Sequence, residues 1–125
     1  MILCDTDIII ELYRNNERII SELKEIGQQN IAISIITVGE LFYGALNKTE
    51  LKRIEKDVKS LNIRNIDEEI SSAFYGLMNK YSLSHKIGIP DAFIAATAIV
   101  GNIELFTLNV KHFSYIENLK LYKFT

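Results

Sequence analysis

The stretch Ile87-Gly88-Ile89-Pro90-Asp91-Ala92-Phe93-Ile94-Ala95-Ala96-Thr97-Ala98 constrains this chain more than any other. Pro90 is the only proline, and its fixed φ and missing N–H suit the first position of a helix, which the sequence predicts from Pro90 to about Gly101. Between Ala92 and Val100 almost no polar side chain interrupts it. Such a helix must be covered on most of its sides, and its alanines let a sheet come close. One acid, Asp91, stands at its mouth. A carboxylate there is favoured by the helix dipole, which is a sufficient local reason for it when taken alone.

The remaining segments supply the sheet and the covering helices. Ile2-Leu3-Cys4 reads as a buried strand ended by Asp5-Thr6-Asp7, with a helix from Ile8 capped by Thr6 or Asp7. Ile19, Ile20, Leu23 and Ile26 keep helical spacing from Glu17 to Ile26, and Gly27 stops it. Ile31 to Ser34 is a second strand. Thr37-Val38-Gly39-Glu40 has the capping-box pattern, followed by a helical stripe of Val38, Leu41, Phe42, Ala45 and Leu46. Leu51, Ile54, Val58 and Leu61 form another stripe, whose charged outer face is a solvated one. Then come a short strand over Asn62 to Ile66, a helix capped by Asp67, and a loop from Ser82 to Gly88. The helix at Pro90 leads to a strand over Ile103 to Thr107, a turn around Asn109, and a last strand over Leu119 to Phe124. This alternation predicts one domain over residues 1–125, a three-layer α/β/α architecture with a mainly parallel sheet of four to five short strands.

Composition narrows the chemistry. A length of 125 residues suffices for one core, and 48% hydrophobic with 24% charged residues is ordinary for a globular protein. One cysteine and two histidines leave neither a disulfide framework nor a zinc cluster, which favours an intracellular, cytoplasmic protein. Met1 to Asp5 has no basic region and its apolar run is broken by Asp5 and Asp7, so it is not a signal peptide; no segment is long enough to span a membrane. A net charge of −2 excludes a generally basic nucleic-acid binder. If phosphate is the substrate, a bound metal is the simplest attraction.

Open parallel sheets place their sites beyond the carboxyl ends of the strands. Asp5 ends the first strand, Glu40 opens the helix after the second, and Asp91 opens the helix that feeds the strand at Ile103, which Thr107 and Asn109 follow. Separate pieces of chain therefore bring acids to one rim, and local roles as caps and turn formers do not explain that convergence. Crowded carboxylates raise one another's pKa unless a cation sits among them, and oxygen donors without histidine or cysteine suit Mg²⁺ or Mn²⁺. Such metals promote phosphodiester hydrolysis by lowering the pKa of a water and offsetting charge on the leaving oxygen.

Four motifs, in this order and at these separations, resemble those of PIN-domain ribonucleases, and more narrowly the VapC toxins of type II toxin–antitoxin pairs. They are Leu3-Cys4-Asp5-Thr6-Asp7; Ser34-Ile35-Ile36-Thr37-Val38-Gly39-Glu40-Leu41 with Gly44 a turn on; Pro90 to Ala98; and Leu105-Phe106-Thr107-Leu108-Asn109-Val110-Lys111-His112-Phe113. The resemblance covers essentially the whole chain. It implies that Asp5, Glu40 and Asp91 are metal-binding catalytic acids, that Thr6, Asp7, Thr107 and Asn109 support the pocket, and that the substrate is RNA. It also implies a homodimer and a small VapB-like antitoxin that blocks the site. Asp7 stands where many relatives carry asparagine, and Asn109 where other PIN nucleases have a fourth aspartate. One resident metal, with another arriving alongside substrate, is therefore the expectation.

Metal-activated water as nucleophile would leave 5′-phosphate and 3′-hydroxyl ends. Arg14, Arg18, Lys86, Lys111 and His112 are secondary candidates for phosphate contacts, and Tyr13, Tyr43 and Phe93 for stacking on bases. Three other readings compete. A haloacid-dehalogenase-like phosphotransferase would use Asp5 as nucleophile, a signalling receiver domain would gather acids at the same edge, and a non-catalytic module would only bind RNA.

Overall fold

The computed structural model describes residues 1–125. The strands are β1 (Ile2–Cys4), β2 (Ile31–Ser34), β3 (Asn62–Arg64) and β4 (Glu104–Phe106). The helices are α1 (Thr6–Tyr13), α2 (Glu17–Ile26), α3 (Ile35–Tyr43), α4 (Lys48–Val58), α5 (Glu68–His85) and α6 (Ile89–Gly101). The strands form one parallel sheet in the order β3-β2-β1-β4, with Leu3 opposite both Ala32 and Leu105. The chain steps outward on one side of β1 to build β2 and β3, then crosses to the other side for β4. The carboxyl end of β1 is thus a topological switch point, where open α/β sheets place their sites.

Strands β1, β2 and β4 bury side chains on both faces, which alternate between two cores, while the edge strand β3 is only partly covered. Leu3, Ala32 and Leu105 join the core under α5 and α6, while Cys4, Ile31, Ile33 and Phe106 join the one under α1 to α4. The expected α/β/α sandwich is therefore present. The apolar α6 sits where its composition requires: Ala92, Ala95, Ala96 and Ala98 are buried between the sheet and α5, and Phe93 stacks on Phe74 of α5 with ring centroids 3.7 Å apart. Phe93 is thereby committed to packing rather than to a nucleobase. The Cys4 thiol, pushed up to about 12 chiefly by burial, acts as a small apolar group.

The structure corrects several element boundaries. The cap of α1 is Asp5, whose carboxylate accepts from the Thr6 N–H, and not Thr6 or Asp7. Helix α3 begins at Ile35 under a Ser34 cap, whose hydroxyl accepts from the Ile36 N–H at 3.0 Å. Thr37-Val38-Gly39-Glu40 is consequently no capping box. Glu40 lies well inside the helix, not at its start. Helix α5 runs on to His85, since Ser82 returns its hydroxyl to the Met78 carbonyl, and the expected loop shrinks to residues 86–88. Leu61 lies beyond α4, and the strand at Asn62 stops at Arg64. The segment from Leu119 is not a strand; it meets β4 through one parallel bridge, Leu105 to Leu121.

Candidate active site

Asp5 occupies the switch point because β1 ends there and its N–H continues the ladder to the Phe106 carbonyl at 2.9 Å. That bond sets the turn after β4 beside the turn after β1. Thr107, buried, donates its hydroxyl to Asp5 Oδ2 at 2.8 Å, and the Thr6 N–H donates to Asp5 Oδ1 at 2.8 Å. Both carboxylate oxygens of Asp5 are engaged, and the residue is 5% exposed.

Helix α3 reaches the same point. The Thr6 hydroxyl donates to Glu40 Oε1 at 2.7 Å and lies 3.0 Å from the hydroxyl of Thr37, which is fully buried. A single hydroxyl hydrogen serves one acceptor, so Thr37 must donate to Thr6 while Thr6 donates to Glu40. Thr6 and Thr37 thus hold the glutamate in place, a role for Thr37 that the capping-box pattern concealed. Asp91, partly exposed in the first turn of α6, has His112 Nδ1 3.5 Å from its Oδ2. His112 is therefore a neighbour of an acid, a placement that sequence spacing did not disclose.

Asp7 and Asn109 enter differently from one another. Asp7 Oδ2 accepts from the Leu108 N–H at 3.0 Å and lies 3.4 Å from the Thr107 hydroxyl, which already serves Asp5. Its other oxygen, Oδ1, is buried with no hydrogen-bond partner. Asn109 joins through its main chain, donating its N–H to Thr107 Oγ1 at 3.0 Å, and its side chain is exposed. Among the secondary candidates, Arg18 is drawn away to the Thr125 carbonyl and the Phe124 ring, Arg14 pairs with Glu11, and Tyr13 packs under Arg53. Tyr43 projects into solvent one turn beyond Glu40.

The electrostatics bear the mark of crowded acids. Burial, the Asp7 charge and, to a smaller extent, Asp91 push the Asp5 carboxyl up to about 7, against the opposing hydrogen bonds from Thr107 and Thr6. Burial raises Asp7 as well, and it raises Asp91, where His112 opposes and Glu40 adds to the effect. The donor set is all oxygen, one buried carboxylate oxygen is orphaned, and the charge is uncompensated; each of these fits a hard divalent cation. As the side chains lie, no three of the His, Cys, Asp or Glu residues close around a common point. The fit lies in donor chemistry and shared location, and the carboxylates need to turn inward to enclose an ion.

A parallel sheet in this strand order, with acids gathered at the carboxyl end of the inner strand β1, places the chain among α/β proteins with an acidic site at the switch point. The PIN domain family model matches residues 2–118, and the chain belongs to that family. It is 34% identical over 125 residues to Ribonuclease VapC10 of Mycobacterium tuberculosis, covering 96% of this chain and 91% of that protein. Among solved structures it resembles VapBC-1 of nontypeable Haemophilus influenzae, with a TM-score of 0.83, 31% identity and 98% of each chain covered. It also resembles VapBC2 of Rickettsia felis bound to a DNA fragment from its promoter, with a TM-score of 0.83, 28% identity and 100% of each chain covered. No helix is long and apolar enough to cross a membrane.

Proposed function

We propose that this chain is a VapC-type toxin, an endoribonuclease that hydrolyses RNA phosphodiester bonds with the help of Mg²⁺ or Mn²⁺. The observation that carries the reading is the linkage of acids from separate elements at the end of β1: Asp5 through Thr107, Glu40 through Thr6, and Asp91 acting on both by charge. The similarity to a named ribonuclease over nearly the whole chain supports RNA as substrate. The likeness to VapBC structures supports a small antitoxin partner.

Asp5 and Asp91 would hold the metal directly, with Glu40 reaching it through water or orienting the attacking water. When bound, the ion supplies positive charge that favours a hydroxide nucleophile and offsets charge on the leaving oxygen. The chain's own work is positioning. Thr107 and the Thr6 N–H fix the Asp5 carboxylate, and Thr6 with Thr37 fixes Glu40. Asp7 adds negative charge beside Asp5 and so raises the demand for a cation. The phosphotransferase and receiver readings place a phosphoryl group on an aspartate and predict a phosphoryl or beryllofluoride adduct there, whereas the nuclease reading predicts none.

The test is cleavage of single-stranded RNA by purified protein. Mg²⁺ or Mn²⁺ should support cutting, a chelator should stop it, and the new ends should be 5′-phosphate and 3′-hydroxyl. Asp5→Ala and Asp91→Ala should lower the rate at least 100-fold while far-UV circular dichroism stays native. Cleavage that survives chelation, or that yields 2′,3′-cyclic phosphate ends, overturns the reading.

A further inference from the structure

Helix α5 ends at His85, and α6 begins at Ile89 after three intervening residues, so the end of one helix and the acid in the first turn of the other lie on one rim. His85 is exposed and its ring lies flat on Tyr115, with centroids 3.9 Å apart and planes 8° from parallel. Tyr81, buried, meets both rings edge-on, at 5.6 Å and 5.0 Å. The Tyr81 hydroxyl accepts from the Glu117 N–H at 3.1 Å, and Glu117 pairs with Lys80 at 3.0 Å, which ties the segment carrying Tyr115 down onto α5. The Ser84 hydroxyl lies 2.8 Å from His85 Nδ1 and fixes the imidazole about its own axis. An exposed histidine is ordinarily free to turn. This one is held by a ring beneath, a ring at its edge and a hydroxyl at its side.

The held ring stands next to the acidic rim. Tyr115 follows His112 by three residues, and His112 touches Asp91; the Asp91 charge contributes to raising the Tyr115 hydroxyl above its usual range, after burial. Lys86 adjoins His85, in a left-handed backbone conformation with φ of 52°, and Lys111 adjoins His112. An unpaired nucleotide requires a π-face for its base and cations for its phosphates; the held His85 ring supplies the face, and Lys86 and Lys111 put cations on the chain segments that carry the two histidines. A duplex keeps its base faces within its own stack and cannot use such a surface.

We infer that the exposed face of His85, backed by Tyr115, is the seat on which one unpaired base of single-stranded RNA stacks, next to the phosphate presented to Asp5, Glu40 and Asp91. The inference rests on the proposed nuclease reading. His85 is a positioning residue for substrate and takes no part in the chemistry.

The experiment measures binding of a short single-stranded RNA carrying 2-aminopurine, and of the same sequence as a duplex, to the wild-type protein in chelator, with cleavage in Mg²⁺ followed separately. His85→Phe should keep the affinity and the stacking quench of fluorescence. His85→Ala and His85→Leu should lose roughly 5- to 150-fold in affinity together with the quench, the loss expected for one stacked base. Their melting temperatures report whether they are folded, and Leu preserves an apolar contact with Tyr115. The inference is overturned if folded His85→Ala and His85→Leu bind like wild type, if the duplex binds as well as the single strand, or if wild type binds no single-stranded RNA. Wild type that cuts RNA with affinity indifferent to His85 sinks this inference alone; wild type that cuts no RNA sinks the nuclease reading, and the affinities still decide the stacking.

Discussion

Replacing Asp5 by Asn should make the metal-free protein more stable, and by an amount that depends on pH. The Asp5 carboxyl ordinarily titrates near 3.8 and is pushed up to about 7 in the folded chain, chiefly by burial and then by Asp7. Below about pH 4 both the folded and unfolded states hold this proton, and Asp5 costs nothing. As pH rises through the window, the unfolded chain releases the proton while the folded one retains it, so stability falls; above about 7 the full cost is present. The separation is roughly three pH units, and at about 1.4 kcal/mol per unit it corresponds to on the order of 4 kcal/mol. Asn suits the position. Its oxygen still accepts from the Thr6 N–H, it caps helices as well as aspartate does, and the Thr107 hydroxyl can turn to accept from its amide. In chelator at pH 8, Asp5→Asn should therefore melt on the order of 10 °C above wild type, and the gap should close as pH falls towards 4. Added Mg²⁺ should stabilise wild type more than the variant, because the ion answers the charge the variant has lost. Thermal melts of both proteins from pH 4.5 to 8 decide it. A variant no more stable than wild type at pH 8, or a gap that does not change with pH, refutes the claim that uncompensated charge is stored at Asp5.

Two further substitutions separate the scaffold from the site. Thr37→Val removes the buried hydroxyl that supports Thr6, and should cost about 1–2 kcal/mol in urea unfolding while lowering the RNA cleavage rate through a loosened Glu40. Asp67→Ala removes the cap of α5, which bonds the Ile70 N–H at 2.8 Å away from the acids; it should cost about 1 kcal/mol and leave the cleavage rate unchanged. Equal effects of the two on cleavage would show that the rate merely follows global stability.

Much of the scaffold was legible because its signals are local and redundant. Ile2–Cys4, Ile31–Ser34 and the helix at Pro90 are short apolar runs flanked by strong punctuation, and the alternation of strands and helices admits few sandwiches. The failures share one physical origin. Ser34 and Thr37 are both good caps, and which of them starts α3 depends on whether Ile35 and Ile36 pack as helix or strand, a tertiary question. Ser82 and Ser84 look like loop residues, yet a hydroxyl that returns to its own helix's carbonyl can extend α5. The rim itself was readable from topology, since Asp5 follows the end of β1, Asp91 stands in the first turn of α6, and Glu40 lies on the helix that follows β2, although inside it rather than at its start. The contacts that orient them were not. Thr107 on Asp5 and His112 on Asp91 join residues 102 and 21 positions apart, and no spacing rule specifies which partner a hydroxyl or an imidazole will choose.

The bond from Thr107 to Asp5 spans nearly the length of the polymer and has a temporal consequence. Synthesis delivers Asp5 among the first residues, Glu40 next, and Asp91 and Thr107 only near the end, so a half-made chain has not yet brought these four side chains together. The rim is complete only once β4 has emerged and slotted in beside β1, so its assembly waits on the translation of most of the protein.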